Sequence, residues 1–128
     1  MKIDIPQVVA EVRAEFERYE KALVSNDVDT LNAIFHDDAR TIRYGGAENL
    51  YGYDAIKAFR VARSPAGLAR TLSNTVITAY GPDHAIASTL FRRSSAPTSK
   101  IGRQMQTWVR FPEGWRIVAA HVSIIDEP

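Results

Sequence analysis

The chain changes character near residue 69, and this change limits the folds that it can adopt. The second half consists of four long runs rich in β-branched and aromatic residues: RTLSNTVITAY, HAIASTLFRR, GRQMQTWVRF and GWRIVAAHVSII. The segments between them, GPD, SSAPTSKIG and PEG, have the composition of turns. Consecutive strands joined by short turns pair side by side in opposite directions. The second half is therefore predicted to be an antiparallel sheet.

The first half has helical rather than strand-like periodicity. One apolar stripe at three- and four-residue steps predicts a first helix: Val8, Val12, Phe16, Tyr19 and Leu23. Pro6 suits its first turn, and the sequence Ser25-Asn26-Asp27 ends it and caps a second, shorter helix. A third helix is predicted to start near residues 53–54 and to end at SPAG, after an extended segment at 40–44. The pattern predicts one α+β domain over residues 1–128, with three helices packed on the sheet.

Composition excludes several classes of function. The 16 basic and 15 acidic residues among 128 are dispersed, so no nucleic-acid partner is expected. Cysteine is absent, which excludes thiolate metal sites and a cysteine nucleophile. The first residues, MKIDIPQVVAEVRAEF, lack the apolar core of a signal peptide, and no run approaches the roughly 18 apolar residues of a membrane span. We therefore expect a cytoplasmic protein with no membrane partner.

The predicted last strand is apolar on both sides. Simple alternation places Trp115, Ile117 and Ala119 on one face. It places four other apolar residues on the opposite face: Val118, Ala120, Val122 and Ile124. One face can bury the helices, and the other needs a second cover. We expect that cover to be a second copy of the chain in a homodimer.

The stretch RYGGAENLYGY, residues 43–53, combines a guanidinium group, a flexible glycine pair and several phenols. Arginine can grip a planar carboxylate with two parallel hydrogen bonds, and Gly45 and Gly46 would let the backbone approach a ligand closely. This stretch is predicted to form one wall of a small anion-binding pocket. The alternative is that Arg43 is an exposed residue at a strand end, because Ile42 and Tyr44 would share the apolar face.

Tyr19 has two interpretations because it lies on the apolar stripe of the first helix. It is either a core tyrosine whose hydroxyl bonds to the backbone, or a phenol directed into a cavity, where it can donate a proton. His121 likewise is either a satisfied structural histidine or part of a pocket wall, with Ser123 on the same face.

Other polar side chains on predicted strand faces complete the candidate pocket lining. Trp108, Gln106 and Gln104 share one face of a strand, and Asn74 shares a face with Leu72 and Val76. The histidines are scattered and no phosphate loop, nucleophile elbow or dinucleotide motif is present, so no metal or cofactor is expected. Between residues 70 and 125 the only carboxylates are Asp83 and Glu113, both in turns. This argues against chemistry that needs a carboxylate base on a strand.

Three segments resemble one family over nearly the whole chain: VVAEVRAEFERYEKAL, ENLYGYDAI and GRQMQTWVRFPEGWRIVAAHVS. The order of helices and strands looks like the nuclear-transport-factor-2-like superfamily of cone-shaped α+β domains. More narrowly, these motifs resemble the AtzH/HpxZ family. Its members are encoded beside amidase genes for cyanuric acid or oxalurate catabolism.

The resemblance implies a hydrolase of nitrogen metabolism, an amidase-type enzyme that acts on a carboxylated urea and converts 1,3-dicarboxyurea to allophanate. It also implies a catalytic tyrosine on the first helix and a catalytic arginine before the glycine loop, which match Tyr19 and Arg43. The alternative is a non-catalytic ligand-binding or accessory protein that assists a neighbouring amidase. The expected partner is a small anionic, urea-derived substrate.

Overall fold

The computed structural model describes residues 1–127, which form three helices and six strands. The helices are α1 (Pro6–Val24), α2 (Val28–Ile34) and α3 (Tyr53–Ala62). Pro6 lies in the first turn of α1, and the Asp27 side chain accepts a hydrogen bond from the Thr30 amide at 3.2 Å to cap α2. The predicted helix boundaries at 25–27 and 53–54 are confirmed. Within the described residues, no helix has the length and apolar character needed to cross a membrane.

The six strands form one sheet in the order β2-β1-β6-β5-β4-β3. They are β1 (Ile42–Tyr44), β2 (Asn49–Tyr51), β3 (Arg70–Ala79), β4 (His84–Arg93), β5 (Lys100–Phe111) and β6 (Gly114–Asp126). All neighbours pair antiparallel except β1 and β6, which run parallel. The predicted α+β architecture, with three helices packed on a mostly antiparallel sheet in a cone-shaped domain, is confirmed. The three-residue strand β2 and the parallel pairing of β1 were not predicted.

The helices cover one face of the sheet, which we call the inner face; the opposite side is the outer face. α1 packs against β3 and β4, α2 against β6, and α3 against β1 and β2. All five residues of the predicted apolar stripe of α1 are buried. They pack with α2 and the inner face around a core whose largest fully buried side chain is Trp108. The apolar surface that the helices bury against this face stabilises the fold and so holds the site in place.

A β-bulge in β6 overturns the predicted faces of that strand. Thr107 pairs with Ala119 but Trp108 pairs with Ile117, so Val118 is an extra residue without a partner in β5. Because one extra residue reverses the alternation beyond it, Ala120 and Val122 face inward and are 8% and 7% exposed. The prediction that Ala120, Val122 and Ile124 face outward is wrong. The same bulge moves Ala119, His121 and Ser123 to the outer face.

Candidate active site

Two adjoining cavities open between α3, the inner face and the loop after β1. The larger one, which we call the outer cavity although it lies on the inner side of the sheet, has a volume of about 770 Å³. Its wall includes Arg43, Gly45, Gly46 and Glu48. The inner cavity, of about 20 Å³, is lined by Tyr19, Leu23, Arg43, Arg63, Leu68, Arg70, Arg93, Gln104 and Val122. The outer cavity can hold a small organic molecule, and the inner one has room for a group the size of a water molecule.

Tyr19 and Arg43, the two predicted catalytic residues, lie together in the wall of the inner cavity. Tyr19 is 3% exposed and its ring packs at 6.3 Å from that of Phe35, which fixes it near the end of α1. Arg43 is 9% exposed and projects from the inner face of β1. Simple alternation in β1 is kept: Ile42 and Tyr44 face outward, and the arginine faces the site. The apolar residues of this strand therefore lie on the outer face, so the alternation of side chains is compatible with a role for Arg43 in the site.

The glycine loop forms part of the outer cavity wall through Gly45 and Gly46. It also carries Glu48, whose Oε1 accepts a hydrogen bond from Arg43 Nη1 at 2.8 Å. A Cβ atom on Gly45 would lie 1.7 Å from that carboxylate oxygen, so the absence of a side chain lets Glu48 reach Arg43. The phenols of this stretch serve other purposes. Tyr44 and Tyr51 share a 2.9 Å hydrogen bond between their hydroxyl groups on the outer face.

Of the remaining predicted lining residues, His121 reaches the outer cavity, and Trp108, Gln106 and Asn74 lie elsewhere. Trp108 is fully buried in the core, and its Nε1 donates to Oε1 of the buried Gln106 at 3.1 Å. Asn74 is exposed, with a φ of 51°, at an irregularity of β3 between Ser73 and Val76. His121 borders the outer cavity, but its exposed ring packs edge-on against Tyr44 at 5.8 Å. The neighbour of Gln106 on the inner face, Gln104, lines the inner cavity instead.

Arginine dominates the site. We define the arginine cluster as five residues in or beside the two cavities: Arg43, Arg60, Arg63, Arg70 and Arg93. Arg70 is neutralised by Glu20, which accepts hydrogen bonds from Nε at 2.9 Å and from Nη2 at 2.6 Å. Only Glu20 and Glu48 form ion pairs with the cluster among residues 1–127. The site therefore carries an excess of positive charge.

The pKa values of three of these arginines reflect that excess. The pKa of Arg60 is lowered to about 10, chiefly by burial; Tyr19 opposes the shift, and the positive charges of Arg43 and Arg63 add to it. Burial, and then the charge of Arg43, also lowers the pKa of Arg63. Burial, and then the charges of Arg70 and Arg43, lowers the pKa of Arg93. Each shift shows that the surroundings disfavour the cation, and a bound anion would relieve this.

Four members of the cluster were not identified from the sequence. Two of them, Arg70 and Arg93, could have been recognised, because they face each other across the β3–β4 pair. Like charges directly opposite on neighbouring strands repel, so such a pair points to a nearby anion site. The other two, Arg60 and Arg63, lie at the end of α3, and the helical pattern alone does not show that they turn inward.

The fold is that of the nuclear-transport-factor-2-like domains. An NTF2-like protein from Pseudomonas putida shares this fold, with a TM-score of 0.77 over 91% of this chain and 86% of that one at 21% identity. The family model for AtzH-like proteins matches residues 1–128. The chain belongs to the AtzH-like family.

Two solved structures are similar at the level of sequence. A protein of unknown function from Pectobacterium atrosepticum is 59% identical, with a TM-score of 0.93 over 97% of this chain and 95% of that one. A protein with a cystatin-like fold from Burkholderia xenovorans is 47% identical, with a TM-score of 0.94 over 100% of this chain and 99% of that one. No curated protein matches the chain.

Proposed function

We propose that this protein is an enzyme that cleaves a nitrogen–carboxyl bond of an N-carboxylated urea and converts 1,3-dicarboxyurea to allophanate. The observation that carries the proposal is that Tyr19 and Arg43 share the wall of the inner cavity. Membership of the AtzH-like family supports the same reaction. The excess positive charge of the arginine cluster favours a dianionic substrate over a neutral one.

The proposed reaction needs one proton and no cofactor. The dicarboxyurea dianion takes up a proton at one nitrogen, the electron pair of the nitrogen–carboxyl bond moves to that nitrogen, and carbon dioxide leaves. The other product is the allophanate monoanion. Tyr19 donates the proton through its hydroxyl group and then recovers one from solvent.

Arg43 orients the departing carboxylate. Its guanidinium has five N–H donors, of which Glu48 engages one through Nη1. The remaining donors can bind a carboxylate with two parallel hydrogen bonds, which fixes the scissile bond beside Tyr19. The outer cavity holds the rest of the molecule, because the inner cavity has room for only a small group.

Replacing Tyr19 with phenylalanine tests the proton donor. We expect Tyr19→Phe to lower kcat by roughly 10²–10⁴, the usual range for a positioned general acid. The assay measures allophanate formed from freshly prepared dicarboxyurea, corrected for spontaneous decay in buffer. Tyr80→Phe is the matched control, because Tyr80 lies on the surface and is 40% exposed.

Two outcomes would contradict the proposal. Turnover by Tyr19→Phe at the rate of the unmodified protein would make the phenol a core residue only. Tight binding of the substrate without any turnover would instead assign the protein to the accessory, ligand-binding class that assists a neighbouring amidase.

A further inference from the structure

Two phenylalanine rings hold most of the arginine cluster in place. The guanidinium carbons of Arg43 and Arg63 lie 5.3 Å and 5.9 Å from the centre of the Phe59 ring. Those of Arg70 and Arg93 lie 4.5 Å and 5.6 Å from the centre of the Phe91 ring. A cation above an aromatic ring is attracted by the electrons of the ring face. This contact positions the arginines without using their N–H donors.

The donors of Arg63 remain free as a result. Its Nε and Nη2 atoms are buried and have no hydrogen-bond partner among residues 1–127. Leaving buried donors of a charged group without partners is costly, so such an arrangement is expected where a ligand supplies the acceptors. Arg63 also lines both cavities, as Arg93 does, so its free donors lie beside the space that a ligand would fill.

The positions of these two arginines separate them from the first carboxylate site. Arg43 already has Glu48 as a partner, and Arg70 has Glu20 and the Gln104 amide oxygen. Arg63 and Arg93 have no ion-pair partner among residues 1–127. Because Arg43 and Arg63 lie over the same ring, a molecule only a few bonds long can reach from one to the other.

We propose that Arg63 and Arg93 form a second carboxylate subsite, so that the protein selects short dicarboxylates over monocarboxylates of the same length. This inference rests on the proposed function only in assigning the first carboxylate to Arg43. It assigns the second carboxylate of a dianionic ligand to these two arginines. It also explains product release, because allophanate retains one carboxylate and loses the contacts at one of the two subsites.

A pair of unreactive ligands tests the subsite without turnover. Glutarate carries two carboxylates at about the separation found in dicarboxyurea, and monomethyl glutarate has the same length with one charge. By calorimetry we expect the unmodified protein to bind glutarate more tightly than the ester. Arg63→Gln should weaken glutarate binding by roughly 10–100-fold, as expected for lost hydrogen bonds to a charged group, and should leave ester binding nearly unchanged.

Control variants make the result specific. Arg93→Gln tests the other half of the subsite, and Arg103→Gln is the matched control, because Arg103 is exposed and bonds to Ser123. Equal affinity of the unmodified protein for both ligands would overturn the inference. So would a loss of glutarate affinity in Arg103→Gln equal to that in Arg63→Gln.

The test also distinguishes the two proposals. If glutarate selectivity depends on Arg63 but dicarboxyurea is not turned over, the dicarboxylate subsite stands and the proposed reaction is wrong. If dicarboxyurea is turned over and Arg63→Gln leaves glutarate selectivity unchanged, the reaction stands and the subsite is wrong.

Discussion

At the scale of single residues, Gly45 controls the partner of Arg43. The Cβ of an alanine here would meet Glu48 Oε1 at 1.7 Å and Arg43 Nη1 at 3.0 Å. The carboxylate is the flexible end of a side chain, so it can move aside at little cost in folding stability. Arg43 would then lose the hydrogen bond that orients it. Gly46 differs, because a Cβ there would meet no atom within 4 Å among the residues described.

We therefore expect Gly45→Ala to lower kcat/KM for dicarboxyurea by roughly 10–100-fold, the effect of a small displacement of a positioning group. Its melting temperature should stay close to that of the unmodified protein. Gly46→Ala is the matched control and should keep full activity. Equal losses in the two variants would show that loop flexibility, rather than contact between Glu48 and Arg43, governs the site.

At the scale of helices and strands, the sequence predicted most of the frame but not the faces of β6. The apolar stripe of α1 is long and regular, so its buried face could be read directly from the spacing. Val118 has no such signature, because whether it pairs or bulges depends on how β6 fits against Thr107 and Trp108 of β5. That single residue decides that Val122 faces the cavity and His121 the outer surface.

The candidate site was predictable to the extent that its residues follow local patterns or the resemblance. The motif before the glycine loop identified Arg43, and the first helix identified Tyr19. Arg63 and Glu48 belong to the site only because the ends of α3 and β1 meet in three dimensions. No local pattern encodes that meeting.

Helix α3 contains a buried arginine that the proposed chemistry does not use directly. Arg60 is 2% exposed, its guanidinium carbon lies 4.1 Å from the centre of the Phe35 ring, and Nη1 and Nη2 have no partner among residues 1–127. The folded state lowers its pKa to about 10, below the ordinary value of 12.5. Stability lost to this buried charge is recovered only as pH rises above about 10, so the charge destabilises the protein at neutral pH.

We expect Arg60→Met to raise the free energy of unfolding by about 1 kcal/mol at pH 7, because removal of a buried, unpaired charge outweighs the lost contact with Phe35. Methionine is unbranched and can fill the same space. Thermal unfolding should show a rise of a few degrees in Tm. Arg13→Met, on the exposed side of α1, should change Tm little. A fall in Tm for Arg60→Met would show that the guanidinium stabilises the fold.

At the scale of the whole molecule, the outer face of the sheet still needs a cover. A groove of about 320 Å³ crosses it, and the outer-face residues in its wall are Ile42, Tyr44, Met105, Thr107, Ala119 and His121. None of these carries a fixed charge, and Met105 is 56% exposed. The apolar character predicted for the outer face therefore holds, although the bulge in β6 exchanged the residues that form it. We propose that a second copy of the chain covers this face.

A homodimer about a two-fold axis would place the same groove on both subunits, each facing the other. We expect light scattering at micromolar concentration to give twice the monomer mass of 14.3 kDa. Met105→Glu should give the monomer, because the dimer would bury a carboxylate without a partner, close to the same carboxylate of the other subunit. Val61→Glu is the matched control, since Val61 is 68% exposed on α3, away from the groove, and it should remain dimeric. A monomeric unmodified protein would leave the apolar groove exposed and contradict the proposed interface.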